Sequence, residues 1–74
     1  MNLNNFTIKA QETIARAQQF AFTNDNPNIE TEHLLKALLD DEDSPVVYLL
    51  KKNNINVAFI ESKVDDAIGK LPKV

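Results

Sequence analysis

The chain has no cysteine and a single histidine, so neither a disulfide framework nor a standard zinc site is open to it. A thiol-free sequence also fits a reducing compartment. One glycine and three prolines in 74 residues leave few of the turn residues that an all-β chain requires. Long apolar runs are missing too: the longest, Val46 to Leu50, falls far short of the about 20 residues that cross a bilayer. The opening Met1-Asn2-Leu3-Asn4-Asn5 has neither a basic leader nor an apolar signal core. A soluble, cytoplasmic protein with no membrane partner is the expectation. Positive charge is in deficit, with eight Lys and Arg against eleven Asp and Glu, a net charge of −3 and a pI near 4.9. That is the wrong sign for a surface that neutralises phosphates, so nucleic acid is not an expected partner.

What is present favours helices. The apolar fraction of 43% is too high for disorder, and 74 residues hold one small core that buries only about 60% of the unfolded chain's surface. One domain over 1–74 is expected, all-α, with helices over about 7–23, 31–40, 45–53 and 57–70. In the first, Thr7 is the expected N-cap, and Phe6, Ala10, Ile14, Ala17 and Ala21 share one side on a 3.6-residue period. Ile8, Ala15 and Phe22 form a narrower stripe on nearly the opposite side, flanked by Gln11, Gln18 and Gln19.

Asn24 to Asn28 reads as a loop, because Asn and Asp satisfy backbone groups locally and Pro27 cannot extend a helix. Thr31 is the expected cap of the second helix, whose Leu34, Leu35, Leu38 and Leu39 make it the centre of the core. Ser44-Pro45 supplies an N-cap and a first-turn proline for the third helix, with Val46, Leu49 and Leu50 turned inward. Asn53-Asn54 suits a left-handed C-cap and Asn56 the next N-cap. Val57, Ile60, Val64, Ile68 and Leu71 then form a clean stripe, with Phe59 on the far side of the fourth helix.

Reactive chemistry is sparse. His33 stands near Glu30, Glu32, Asp40 and Asp41 in sequence, an arrangement from which acid/base or metal chemistry can be argued. A lone histidine in the first turn of a leucine-rich helix, with no second nitrogen or sulfur ligand, reads better as structural or capping. No glycine-rich phosphate loop exists, and no serine or cysteine is set beside a base, so catalysis by this chain is not expected and no cofactor or metal is assigned. The acidic run Asp40 to Asp43 reads as solvated surface.

The segments Asn5-Phe6-Thr7-Ile8-Lys9-Ala10-Gln11-Glu12, Ile29 to Leu39, Leu49-Leu50-Lys51-Lys52, Asn54-Ile55-Asn56 and Leu71-Pro72-Lys73-Val74 occur in the order seen in one family. Together they make the chain resemble, over essentially its whole length, the amino-terminal repeat domain of the Clp chaperones, nearest the ClpB subgroup. The resemblance implies a compact four-helix repeat, the first of two related by a pseudo-twofold and tethered to a hexameric ATPase ring. It further implies a non-catalytic module that binds unfolded or aggregated polypeptides for an ATP-dependent disaggregase. ATP and Mg belong to the ring, outside this chain. By the same resemblance Thr7, with Ile8 beside it, lies at the substrate groove. The Thr31-Glu32-His33 turn is closer to the ClpA and ClpC types, and in ClpC-type relatives the acidic residue at the position of Glu32 contributes to recognising modified arginine.

Ile8, Ala15, Phe22 and Phe59 exceed what one small core can bury, and are expected to meet a second repeat, a second copy or substrate. The competing functional reading is a stand-alone helical protein–protein adaptor. A small acid/base enzyme centred on His33 is the third.

Overall fold

A computed structural model describes residues 7–74, and Phe6, expected in the inner stripe of the first helix, lies outside them. Four helices follow in order: α1 (Ile8–Thr23), α2 (Thr31–Asp40), α3 (Pro45–Lys52) and α4 (Val57–Gly69), with no strand among the described residues. The N-termini are closed by short polar side chains that offer oxygen to orphan amides. Thr7 Oγ1 accepts from Ala10 N–H at 3.1 Å, Ser44 Oγ from Val46 N–H at 3.1 Å, and Asn56 Oδ1 from Phe59 N–H at 3.1 Å.

The start of α2 departs from expectation. Its N-cap is Glu30, not Thr31, which is already the first helical residue. Glu30 stays extended because its N–H donates to His33 Nδ1 at 2.8 Å, while its carbonyl accepts from His33 N–H at 3.0 Å. A histidine three residues into the helix thus does the work usually given to glutamate in a capping box.

Two helices end in the same way. After α1, Asp25 adopts φ 57°, Asn26 N–H returns to the Ala21 carbonyl at 2.9 Å, and Asp25 N–H returns to Phe22 at 3.1 Å. After α3, Asn54 adopts φ 60°, with Ile55 N–H on Leu50 at 2.9 Å and Asn54 N–H on Lys51 at 3.0 Å. Both are Schellman closures, with Asp or Asn where glycine is commonest.

The core is built around α2, which packs against each of the other three helices. Towards α1 it offers Ala37, and Ala17 and Ala21 of α1 are buried in turn, small enough for the two backbones to approach closely. Leu39 joins Val64 and Ile68 of α4 in one cluster, surrounded by Leu35, Val46, Leu50, Val57, Ile60 and Leu71. The whole stripe of α4 is therefore used. Leu34, by contrast, is exposed, because the two sides of α2 that meet neighbours leave its own side open. In α3 it is Val47 that is buried, while Leu49 stands 56% exposed instead of inward.

Candidate functional site

The outer side of α1 carries the most exposed aligned apolar residues. Ile8, Ala15 and Phe22 recur every seven residues, so they drift only about 20° per step and line one face over about 21 Å. Ile8 is 75% and Phe22 79% exposed, and Ala15 between them is exposed as well. Gln11, Ile14, Ala15 and Gln18 line an open hollow of about 190 Å³ along this face. Thr7 caps the start of the same helix, its hydroxyl oxygen engaged by the Ala10 amide.

Phe59 does not join them. It sits in the first turn of α4, 58% exposed, with the Lys63 ammonium 5.4 Å from its ring centroid. α2 comes between: Lys36 of α2 stands 5.0 Å from the ring centroid of Phe20 on α1 and also pairs with Asp65 of α4. Sequence reasoning missed Tyr48, 64% exposed on α3 with Lys52 5.9 Å from its ring, and it placed the neighbouring Leu49 inside. The signal available was the Tyr48/Lys52 spacing of four, which sets a lysine over an aromatic on one helix face.

Glu32 is half-buried on the first turn of α2, where the helix dipole favours a carboxylate. It is far from Thr7 and Ile8. Lys9 pairs with Asp41 at 2.6 Å and Arg16 with Asp40 at 3.3 Å, which makes α1 and α2 antiparallel and puts Glu32 at the opposite end of the pair. These contacts also give the acidic run a structural use. The hydrogen bond from Lys9 holds the Asp41 carboxyl below its ordinary range, assisted by the Asp43 amide, and the same bond raises Lys9. The hollow beside them, lined by Lys9, Glu12, Thr13, Arg16, Ala37 and Asp41, is about 10 Å³, room for one water and no substrate.

His33 is fully buried and committed at both nitrogens: Nδ1 accepts from Glu30 N–H, so Nε2 carries the proton, which is donated to Asn26 Oδ1 at 2.8 Å. A ring so enclosed meets no reactant, which supports the structural reading and removes the argument for an enzyme centred on it. No group of three potential metal ligands occurs among the described residues, and no described helix is long and apolar enough to cross a membrane.

Residues 5–74 match the family model described as the Clp repeat (R) N-terminal domain. The chain belongs to that family. The Clp repeat is similar, over all 74 residues, to proteins named chaperone protein ClpB: 40% identical to that of Porphyromonas gingivalis, 42% to that of Vibrio vulnificus and 35% to that of Bacillus cereus. It spans about a tenth of their length, 9%, 9% and 8% respectively. The all-α architecture with four helices is the one expected of a Clp repeat.

Proposed function

We propose that this Clp repeat is a non-catalytic polypeptide-binding module that takes apolar stretches of unfolded chains on the outer face of α1. The observation that carries the reading is the pair Ile8 and Phe22, three-quarters exposed or more on one line, with the shallow hollow at Ala15 between them. A binder of many unfolded sequences needs contact area more than directional hydrogen bonds, and this face offers apolar side chains flanked by the side-chain amides of Gln11 and Gln18. In proteins of ClpB length the bound chain would be handed to ATP-driven machinery outside these residues, and Glu32 has no part in the surface.

The test is a titration of a fluorescein-labelled unfolded polypeptide against the chain and its Ile8→Ser/Phe22→Ser variant. Weak binding, reduced about tenfold or more in the variant at an unchanged melting temperature, is the expected result, since two lost apolar contacts are worth about 1.4 kcal/mol or more. Equal binding by both proteins would defeat the reading. The adaptor reading draws on the second exposed area, Tyr48, Leu49 and Phe59 on α3 and α4. It predicts one preferred sequence bound strongly, and loss of that binding with Phe59→Ser instead.

A further inference from the structure

Between Asp43 and Glu61 the chain carries no carboxylate, in a sequence where Asp and Glu outnumber Lys and Arg by eleven to eight. That stretch comprises α3, the turn after it and the start of α4, and Tyr48, Leu49, Ile55 and Phe59 are all exposed within it. α3 turns Val47 to the core. Its opposite side then shows Pro45, Tyr48, Leu49 and Lys52 within an arc of about 100°, and all four are exposed. Lys52 falls between Tyr48 and Leu49 one turn further on, its ammonium 5.9 Å from the centroid of the Tyr48 ring.

The charge on this face is unbalanced. Ion pairs among the described residues engage Lys9, Arg16 and Lys36, and none engages Lys51 or Lys52. Asp40 and Asp41 are already held by Arg16 and Lys9. Glu42 and Asp43 precede the N-terminus of α3, about 12 Å of helix away from Lys52 and so beyond the screening length of about 8 Å at physiological salt. The helix dipole favours cations in the last turn, but Asn53 closes that end with its N–H and Nδ2 on the Leu49 carbonyl, and a dipole does not explain why Tyr48 and Leu49 stand bare beside the lysines. We propose that the outer face of α3 docks an acidic segment of a partner protein, with an apolar side chain lying on Tyr48 and Leu49 and carboxylates meeting Lys51 and Lys52. A lysine over an exposed ring recurs in the same acid-poor region at Phe59, with Lys63. The site is separate from the outer face of α1 and does not depend on what binds there.

The probes are two fluorescein-labelled peptides, one with two leucines followed by four glutamates and one with glutamines in their place. Each is titrated into the 74-residue chain and followed by anisotropy. The glutamate peptide should bind about threefold more tightly or better at low salt, through two exposed ion pairs, and the preference should vanish in 1 M NaCl, where the screening length is about 3 Å. Lys51→Gln/Lys52→Gln should abolish the preference at an unchanged melting temperature. Tyr48→Ser/Leu49→Ser should weaken both peptides alike, and 15N shifts in the parent should centre on Tyr48, Leu49 and Lys52. Equal binding of the two peptides, a preference that survives in the lysine variant, or shifts centred on Ile8 and Phe22 overturns the proposal. So does sedimentation in which the chain dimerises and Tyr48→Ser/Leu49→Ser does not, since a second copy would then be the occupant.

Discussion

Removing the Leu39 side chain should cost this protein a large share of its stability. Leu39 is 3% exposed and is the only α2 residue in the buried cluster with Val64 and Ile68. Leucine-to-alanine changes in cores cost about 2.7–5.0 kcal/mol, rising with the cavity that remains. The neighbours Leu35, Val46, Leu50, Val57, Ile60 and Leu71 are only partly buried and can move in, so about 3 kcal/mol is expected. Against a total of about 4–11 kcal/mol for a chain this size, that leaves about 1–8 kcal/mol, a variant that still folds but with a much reduced margin. The melting temperature followed by circular dichroism should fall by about 12–24 °C, at about 4–8 °C per kcal/mol. Leu34→Ala, on the same helix but 37% exposed, is the control and should lower it by less than about 8 °C. Equal shifts for the two would refute the packing described, because burial would then not distinguish two faces of α2.

Other outcomes follow from single features. Asp25→Gly and Asn54→Gly should each stabilise by about 0.5–1 kcal/mol in urea titrations, since both positions hold positive φ that glycine adopts without strain; destabilisation by both would count against the Schellman closures. His33→Ala should destabilise by about 2–4 kcal/mol, leaving the Glu30 amide and Asn26 without their partner, and a melt within about 3 °C of the parent would remove His33 from the fold's supports. Because Asp41 is depressed and Lys9 raised, their pair contributes fully between the two ordinary values. Its contribution is lost as pH falls through the depressed Asp41 value or rises through the raised Lys9 value. Melts of parent and Asp41→Asn should therefore differ at neutral pH and converge in acid, and a gap that widens in acid would reverse the assignment. Calorimetry should detect no micromolar ATP binding to this chain, since its sequence offers no phosphate loop; a measurable isotherm would contradict that.

Much of this architecture is legible because its signals are local. Thr7, Ser44 and Asn56 cap by side chains acting on amides two or three residues away, and Asn54 takes the left-handed conformation its side chain tolerates. The exposure of Ile8, Ala15 and Phe22 follows from periodicity over the 16 residues of α1. α3 has only eight residues, too few turns for the period to decide between Val47 and Leu49, so Val46 and Leu50 pack on the core as expected while Val47 takes the buried place expected of Leu49. Thr31 is the better N-cap by type. Glu30 takes the position because His33, anchored from the other side by Asn26, reaches back to its amide. The bonds from Asn26 to the Pro72 carbonyl and from Lys73 to the Asn24 carbonyl join residues 46 and 49 apart, which no local pattern encodes. That Phe59 lies on a separate surface from Phe22 depends on α2 passing between their helices, a fact of packing and not of period.

The most direct test of the central claim is a chemical-shift map of the 15N-labelled chain during addition of an unfolded, apolar-rich polypeptide. Binding on the outer face of α1 predicts that the amides of Ile8, Gln11, Ala15, Gln18 and Phe22 shift together and saturably, with those of Tyr48 and Phe59 unmoved. Shifts confined to α3 and α4, or none at any concentration that leaves the polypeptide soluble, would contradict it.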